Sequence, residues 1–163
     1  MAIAESIPNL PEGYASVMPW IISKDTSAFL DFAREAFDAQ ETSRVLNQDG
    51  SIGHAEAIIN GSVILMFDGI GDAAPPNFLR LIVDDAHAAF DRALKAGAAS
   101  VTEVTYLFWG DEVGRIRDPF GNIWWLQSHS RDVDPSDLDA AAADPVNLAA
   151  MKYVQESLAD AFR

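Results

Sequence analysis

Slid along itself, this chain meets a second copy of its own pattern: residues 18–67 lie over residues 78–127 without a gap, 60 positions apart. Ile22 meets Ile82, Asp25 meets Asp85, Asp31 meets Asp91, Thr42 meets Thr102, Gly50 meets Gly110 and Gly61 meets Gly121. A unit this long is outside the period of most solenoids, and two copies are too few to cap one. The chain is therefore constrained to two similar modules.

Each copy opens with a short apolar run suited to a strand, Met18 to Ile22 and then Phe78 to Val83. An acidic cap follows. After Asp25, the residues Phe29, Phe32, Ala33, Ala36 and Phe37 recur at helical spacing; after Asp85 the stripe is Ala86, Ala89, Phe90, Ala93 and Leu94. Gly97 then supplies a left-handed stop. Three strands close each copy, at 41–47, 52–59 and 62–67, then at 100–107, 112–117 and 123–129. The predicted fold is α+β: two tandem βαβββ modules forming a curved mixed sheet around a cup, plus a C-terminal helix. A ferredoxin-like pair would need a second helix in each copy, and the pattern offers none.

The predicted organisation is an N-terminal arm over 1–15, a first module over 16–68, a linker over 69–77, a second module over 78–129, and an acidic tail with a C-terminal helix over 130–163. The linker reading rests on Gly69-Ile70-Gly71-Asp72-Ala73-Ala74-Pro75-Pro76-Asn77. Asp144-Pro145 is an N-cap followed by proline at the first helical position, and Leu148, Met151, Leu158 and Phe162 are expected to face one way.

Charge and composition narrow the partners. With 25 Asp and Glu against 11 Lys and Arg, the net charge of −14 would repel nucleic acid and anionic lipid. No apolar run approaches the roughly 20 residues that span a bilayer, and the first residues lack a signal pattern. The chain has no cysteine, so thiolate metal sites and disulfides are excluded. A cytoplasmic protein is expected.

The second copy holds Val83-Asp84-Asp85, Ala96-Gly97-Ala98 and Asp118-Pro119-Phe120-Gly121-Asn122. With the repeat, these resemble the vicinal-oxygen-chelate (glyoxalase/bleomycin-resistance/dioxygenase) superfamily over about residues 16–130. His54-Ala55-Glu56, Phe108-Trp109-Gly110-Asp111, Trp124 and Ser128-His129 look like its PhnB-like branch. The resemblance implies that the metal ligands of metal-bearing members would fall on Met18, Leu65, Phe78 and Trp125. None of these is a His, Asp or Glu, so no metal or other cofactor is expected. Relatives of this kind also imply a homodimer.

Strand alternation sorts the remaining candidates, because the helix-facing side must be apolar. It points Met18, Trp20 and Ile22, then Phe78, Arg80 and Ile82, away from the helices, with Leu65, Trp125, Gln127 and His129 on the same side. His54, Glu56 and Ile58 share that side. Arg80 needs a carboxylate or a ligand anion, and Glu56 is one candidate partner. Glu56 and His54 could form an acid/base pair if burial moves both toward neutrality. Trp109 is placed on the rim with Phe108, and the large aromatics could equally be core.

Two functions follow. One is a metal-free protein binding a planar or apolar small molecule through Met18, Trp20, Leu65, Phe78, Arg80, Trp109 and Trp125, as in resistance by sequestration. The other is a metal-independent isomerase or lyase with Glu56 and His54 as acid and base and Arg80 as anion anchor.

Overall fold

The computed structural model describes residues 10–11, 13–71 and 73–163, so the arm expected over 1–15 falls largely outside the described residues. The order is β1 (Trp20–Ser23), α1 (Thr26–Phe37), β2 (Gln40–Leu46), β3 (Ile52–Ile59), β4 (Ser62–Asp68), β5 (Phe78–Ile82), α2 (Ala86–Lys95), β6 (Ala99–Leu107), β7 (Asp111–Arg117) and β8 (Ile123–His129). A 3-10 turn at Pro135–Asp137, α3 (Leu138–Ala143) and α4 (Pro145–Asp160) follow. The strands form two four-stranded mixed sheets of identical plan, β1-β4-β3-β2 and β5-β8-β7-β6, each with its first and last strands parallel. The two βαβββ modules expected from the repeat are present. One compact unit holds β1 to β4 with most of α1; the second holds β5 to β8 and everything after. No helix among the described residues is long and apolar enough to cross a membrane.

The same local chemistry builds both helices. The Asp25 carboxylate accepts from the Ala28 amide at 2.9 Å and Asp85 from Ala88 at 3.0 Å, each satisfying an orphan donor of the first turn. A residue at or next to the end of the neighbouring strand caps the helix's first amide: Asp68 takes Thr26 N–H at 2.7 Å, and Ser128 takes Ala86 N–H at 3.1 Å. On α1 the predicted stripe is buried, as are Ile21, Ala55, Ala57, Ile59, Ile64 and Met66 in its unit. In the second unit α2 buries Ala86, Ala89, Phe90 and Ala93, and Leu81, Ile116, Trp124 and Leu126 are buried with them. Gly114 on β7 makes room for this helix: a Cβ there would come within 3.1 Å of the Phe90 ring.

The Asp118–Asn122 loop carries its own network. Asp118, 3% exposed, accepts from the amides of Phe120 and Asn122, both at 2.9 Å, from the Asn122 side chain at 2.8 Å and from the Trp124 indole at 2.9 Å. Gly121 takes a positive φ, 94°, which glycine adopts without a Cβ clash.

Three expectations are corrected. The first strand begins at Trp20, leaving Met18 outside it, because Pro19 has no N–H to give a ladder and offers only its carbonyl, to Leu65. The repeat is not gapless: four residues separate Ile58 from its partner Val63, but five separate Arg117 from Ile123. The third strands are thus offset by 59, so that Glu56, paired with Leu65, corresponds to Arg115, paired with Trp125. Within the acidic tail, the stretch before Asp144 also forms the 3-10 turn and α3, which the sequence reading did not name. On α4 the seated face is Ala150, Met151, Val154 and Ser157, while Leu148 and Phe162 are exposed.

That seated face lies on the side of the second sheet opposite α2, because Val113 and Arg115 alternate with Gly114 along β7. Val154 joins Leu107 and Val113 in a buried cluster bordered by Trp109, Trp125, Ala150 and Met151. Polar ties reinforce it. Arg115 donates to the Val154 carbonyl at 2.6 Å, Thr102 and Ser157 share a hydrogen bond at 2.7 Å, the Tyr153 hydroxyl accepts from the Glu103 amide at 2.9 Å, and Arg117 donates to the Ala161 carbonyl.

Candidate functional site

Register places one row of side chains across the second sheet: Arg80 on β5, Trp125 on β8, Arg115 on β7 and Thr102 on β6. The Trp125 indole is flanked by two guanidiniums, with Arg115 4.2 Å and Arg80 6.0 Å from its ring centre. Both distances fall within cation–π range. Phe78 and Ile82 flank Arg80 on β5 and share its face; they are 48% and 55% exposed. The β5 side of this face is therefore open, and the β6 side lies under α4.

Arg115 is the residue the sequence reading missed. It is 2% exposed, and its partners are the Thr102 hydroxyl at 3.1 Å, the Val154 carbonyl and the Trp125 ring, with no carboxylate among the described ion pairs. Burial alone pushes its guanidinium down from the usual range. The Nε of Arg115, the indole N–H of Trp125 and the Oε1 of Gln127 are buried without a hydrogen-bond partner among the described residues.

At the end of β8, Asp111 accepts from the Trp109 indole at 2.9 Å, from Gln127 at 2.5 Å and from His129 Nδ1 at 2.9 Å. Burial pushes this carboxyl up, but the three hydrogen bonds together outweigh it and leave it below the usual range. The other His129 nitrogen meets Asp132 at 3.0 Å, so hydrogen bonds to two carboxylates raise the imidazole pKa. Trp109 stands edge-on to Phe108 at 5.2 Å and borders the Val154 cluster.

The first unit carries a different cluster. Glu56 Oε1 accepts from the Tyr14 hydroxyl at 2.5 Å and meets His54 Nε2 at 2.9 Å. These hydrogen bonds, Tyr14 first, hold the Glu56 carboxyl below its ordinary value and raise the Tyr14 phenol. The acid/base reading required Glu56 to move up. Trp20, 49% exposed, sets its edge on His54 at 6.1 Å and on Phe67 at 6.0 Å. Leu65 is the ladder partner of both Trp20 and Glu56. Glu56 and Arg80 thus each find their neighbours within their own unit. Tyr14 sits in an irregular segment where no pattern pointed to it. Arg115 had a signal, the extra residue between β7 and β8.

The donor set does not fit a divalent metal. Leu65, Phe78 and Trp125 offer no oxygen or imidazole, and Met18 offers only a thioether. Among the described residues no three His, Cys, Asp or Glu side chains gather closely enough to hold one.

The pattern of the family described as Glyoxalase/Bleomycin resistance protein/Dioxygenase superfamily matches residues 14–126. The Mycobacterium bovis protein Mb0911c is 36% identical over 138 residues, which cover 77% of this chain and 91% of that one. Among solved structures, TioX from Micromonospora sp. ML1 shares 18% identity at a TM-score of 0.59, covering 74% of this chain and 100% of its own. A PhnB protein from Bacillus cereus shares 15% at 0.54, covering 70% and 99%. At these identities the two structures speak for the fold alone.

Proposed function

Because the chain belongs to the glyoxalase/bleomycin resistance protein/dioxygenase superfamily, we propose that it is a metal-free small-molecule binder whose second sheet takes a planar or apolar ligand. Phe78, Arg80 and Trp125 form the floor. One observation carries the reading: an exposed phenyl and an indole lie on one sheet face beside a guanidinium that has no carboxylate partner among the described residues. Aromatic side chains set beside a cation on one open face suit a planar ligand. We assign Trp109 of the same unit a supporting role, on the bond that fixes it to Asp111.

Binding is favoured over catalysis because Glu56, the proposed base, is held as a weaker base than a free glutamate by Tyr14 and His54. We place the chain in the PhnB-like branch on its His54-Ala55-Glu56 and Phe108–Asp111 stretches, and we expect a homodimer in the cytoplasm. Light scattering checks the assembly: a mass near 17.7 kDa at micromolar concentration overturns the dimer.

The test of function compares three variants against a panel of planar ligands. Trp125→Ala should weaken binding by about thirtyfold, the effect of removing a central aromatic anchor. Glu56→Gln should leave it unchanged, and Arg80→Met should weaken only anionic ligands. An enzyme would reverse the ranking, with Glu56→Gln binding normally and losing at least ~10²-fold in turnover.

A further inference from the structure

A buried cation with no counter-anion is expensive, and this chain has acidic residues to spare, at a net charge of −14. Yet Arg115 is met by a hydroxyl, an indole face and a backbone carbonyl. Beside it, the Trp125 indole N–H and the Arg115 Nε find no hydrogen-bond partner among the described residues. Two orphan donors and a positive charge call for a group rich in acceptors and negatively charged. The apolar indole supplies a surface for an arene.

This patch continues the open floor at Phe78 and Arg80, with Trp125 belonging to both. What closes it is α4, whose apolar seat is small. Val154 is its only fully buried side chain, while Val146, Leu148 and Tyr153 are exposed. Its seat also covers orphan polar atoms, and each of them penalises the closed arrangement.

We propose that Arg115 and Trp125 form the anion-holding part of the ligand site, built for an aromatic carboxylate or sulfonate, and that α4 is the cover such a ligand displaces. The Val154 carbonyl on Arg115 stands where the ligand's oxygen goes. The inference rests on the binding reading above and adds to it the ligand's charge and the movement of the helix.

The absence of cysteine makes a clean test possible. Thr102 and Ser157 face each other across β6 and α4 with hydroxyls 2.7 Å apart, so T102C/S157C should bridge the two. Two fluorescent probes that differ by one sulfonate, 1-anilinonaphthalene-8-sulfonate and neutral N-phenyl-1-naphthylamine, are titrated into the reduced and oxidised forms. Locking α4 should weaken the sulfonate by at least about tenfold, the loss of one hydrogen bond to a charged group. The neutral probe on the open side should change little, and reductant should restore the sulfonate. In the wild type, saturating sulfonate should speed amide exchange in α4 while raising Tm. Equal sulfonate affinity in both redox forms, or slower exchange in α4, overturns the proposal. Binding of the neutral probe would then leave the broader reading standing. A wild-type chain that binds neither probe overturns both.

Discussion

Arg115 holds its guanidinium 4.2 Å from the centre of the Trp125 indole, directly across the β7–β8 ladder. The pair fixes the height of α4, because the same guanidinium donates to the Val154 carbonyl. Arg115→Ala should therefore lower the unfolding free energy by about 2–3 kcal/mol, because it removes this bond and also leaves a cavity beneath the helix. Arg115→Met keeps much of the volume and removes a desolvated charge, so its loss should be about 1 kcal/mol or less. Urea unfolding of both variants checks the order, and equal losses would show that the polar contacts of the guanidinium, not its volume, set the stability.

Asp118 is a second keystone. Its two oxygens serve four donors in a buried loop, and Asp118→Ala would leave all four unpaired. The expected loss is more than about 3 kcal/mol, since several buried donors go unsatisfied at once. Asp118→Asn should be milder but still harmful, because an amide has only one acceptor oxygen. Thermal melts that rank Asp118→Ala with ordinary surface changes would contradict this account of the loop.

His129 ties the end of β8 to the segment that leads to α4, through Asp111 and Asp132. Its pKa is raised, so the stabilisation is full below the unfolded value near 6.5 and is lost as pH rises through the higher folded value. The Tm difference between wild type and His129→Gln should therefore shrink from pH 6 upward. Because the imidazole is exposed, added salt should reduce the difference as well. A difference that grows with pH would reverse the assignment.

Glu56 titrates in the opposite sense. Held below its ordinary value by Tyr14 and His54, it contributes stability above the unfolded value near 4.3, and that contribution is lost as pH falls through the folded value. Tyr14→Phe removes the largest cause, so the carboxyl should move up toward the ordinary range. Carbon NMR of labelled Glu56 reads this directly. An unchanged midpoint would mean that the phenol does not hold the carboxylate in solution.

Purified protein should carry less than one zinc, nickel, manganese or iron per chain after dialysis, because Met18, Leu65, Phe78 and Trp125 supply no hard or borderline donors. Elemental analysis showing one retained metal per chain would overturn this. The ligands would then have to be sought at His54, Glu56 and His129.

The sequence by itself determined the plan of the molecule. An internal repeat, two acidic caps and two helical stripes are local signals, because each follows from hydrogen bonding and burial within a few residues of chain. They sufficed for two βαβββ modules and for the parity that puts Phe78, Arg80 and Ile82 on one face of β5 and Glu56 and His54 on one face of β3. Arg115 stayed hidden because an offset of 60 lays it over Ala55, a helix-side residue. Its true counterpart, Glu56, appears only when the ladder is paired and the longer Asp118–Asn122 loop absorbs one position. The same limit applied to α4. Its start was legible in Asp144-Pro145, but which face it buries was decided by the sheet it meets, through Val113, Arg115 and Thr102. Contacts between residues some 40 to 55 positions apart, as Arg115 to Val154 and Thr102 to Ser157 are, leave no periodicity in either partner. Tertiary structure alone decided that a cation would lie beneath the helix and that the sheet face would be half open.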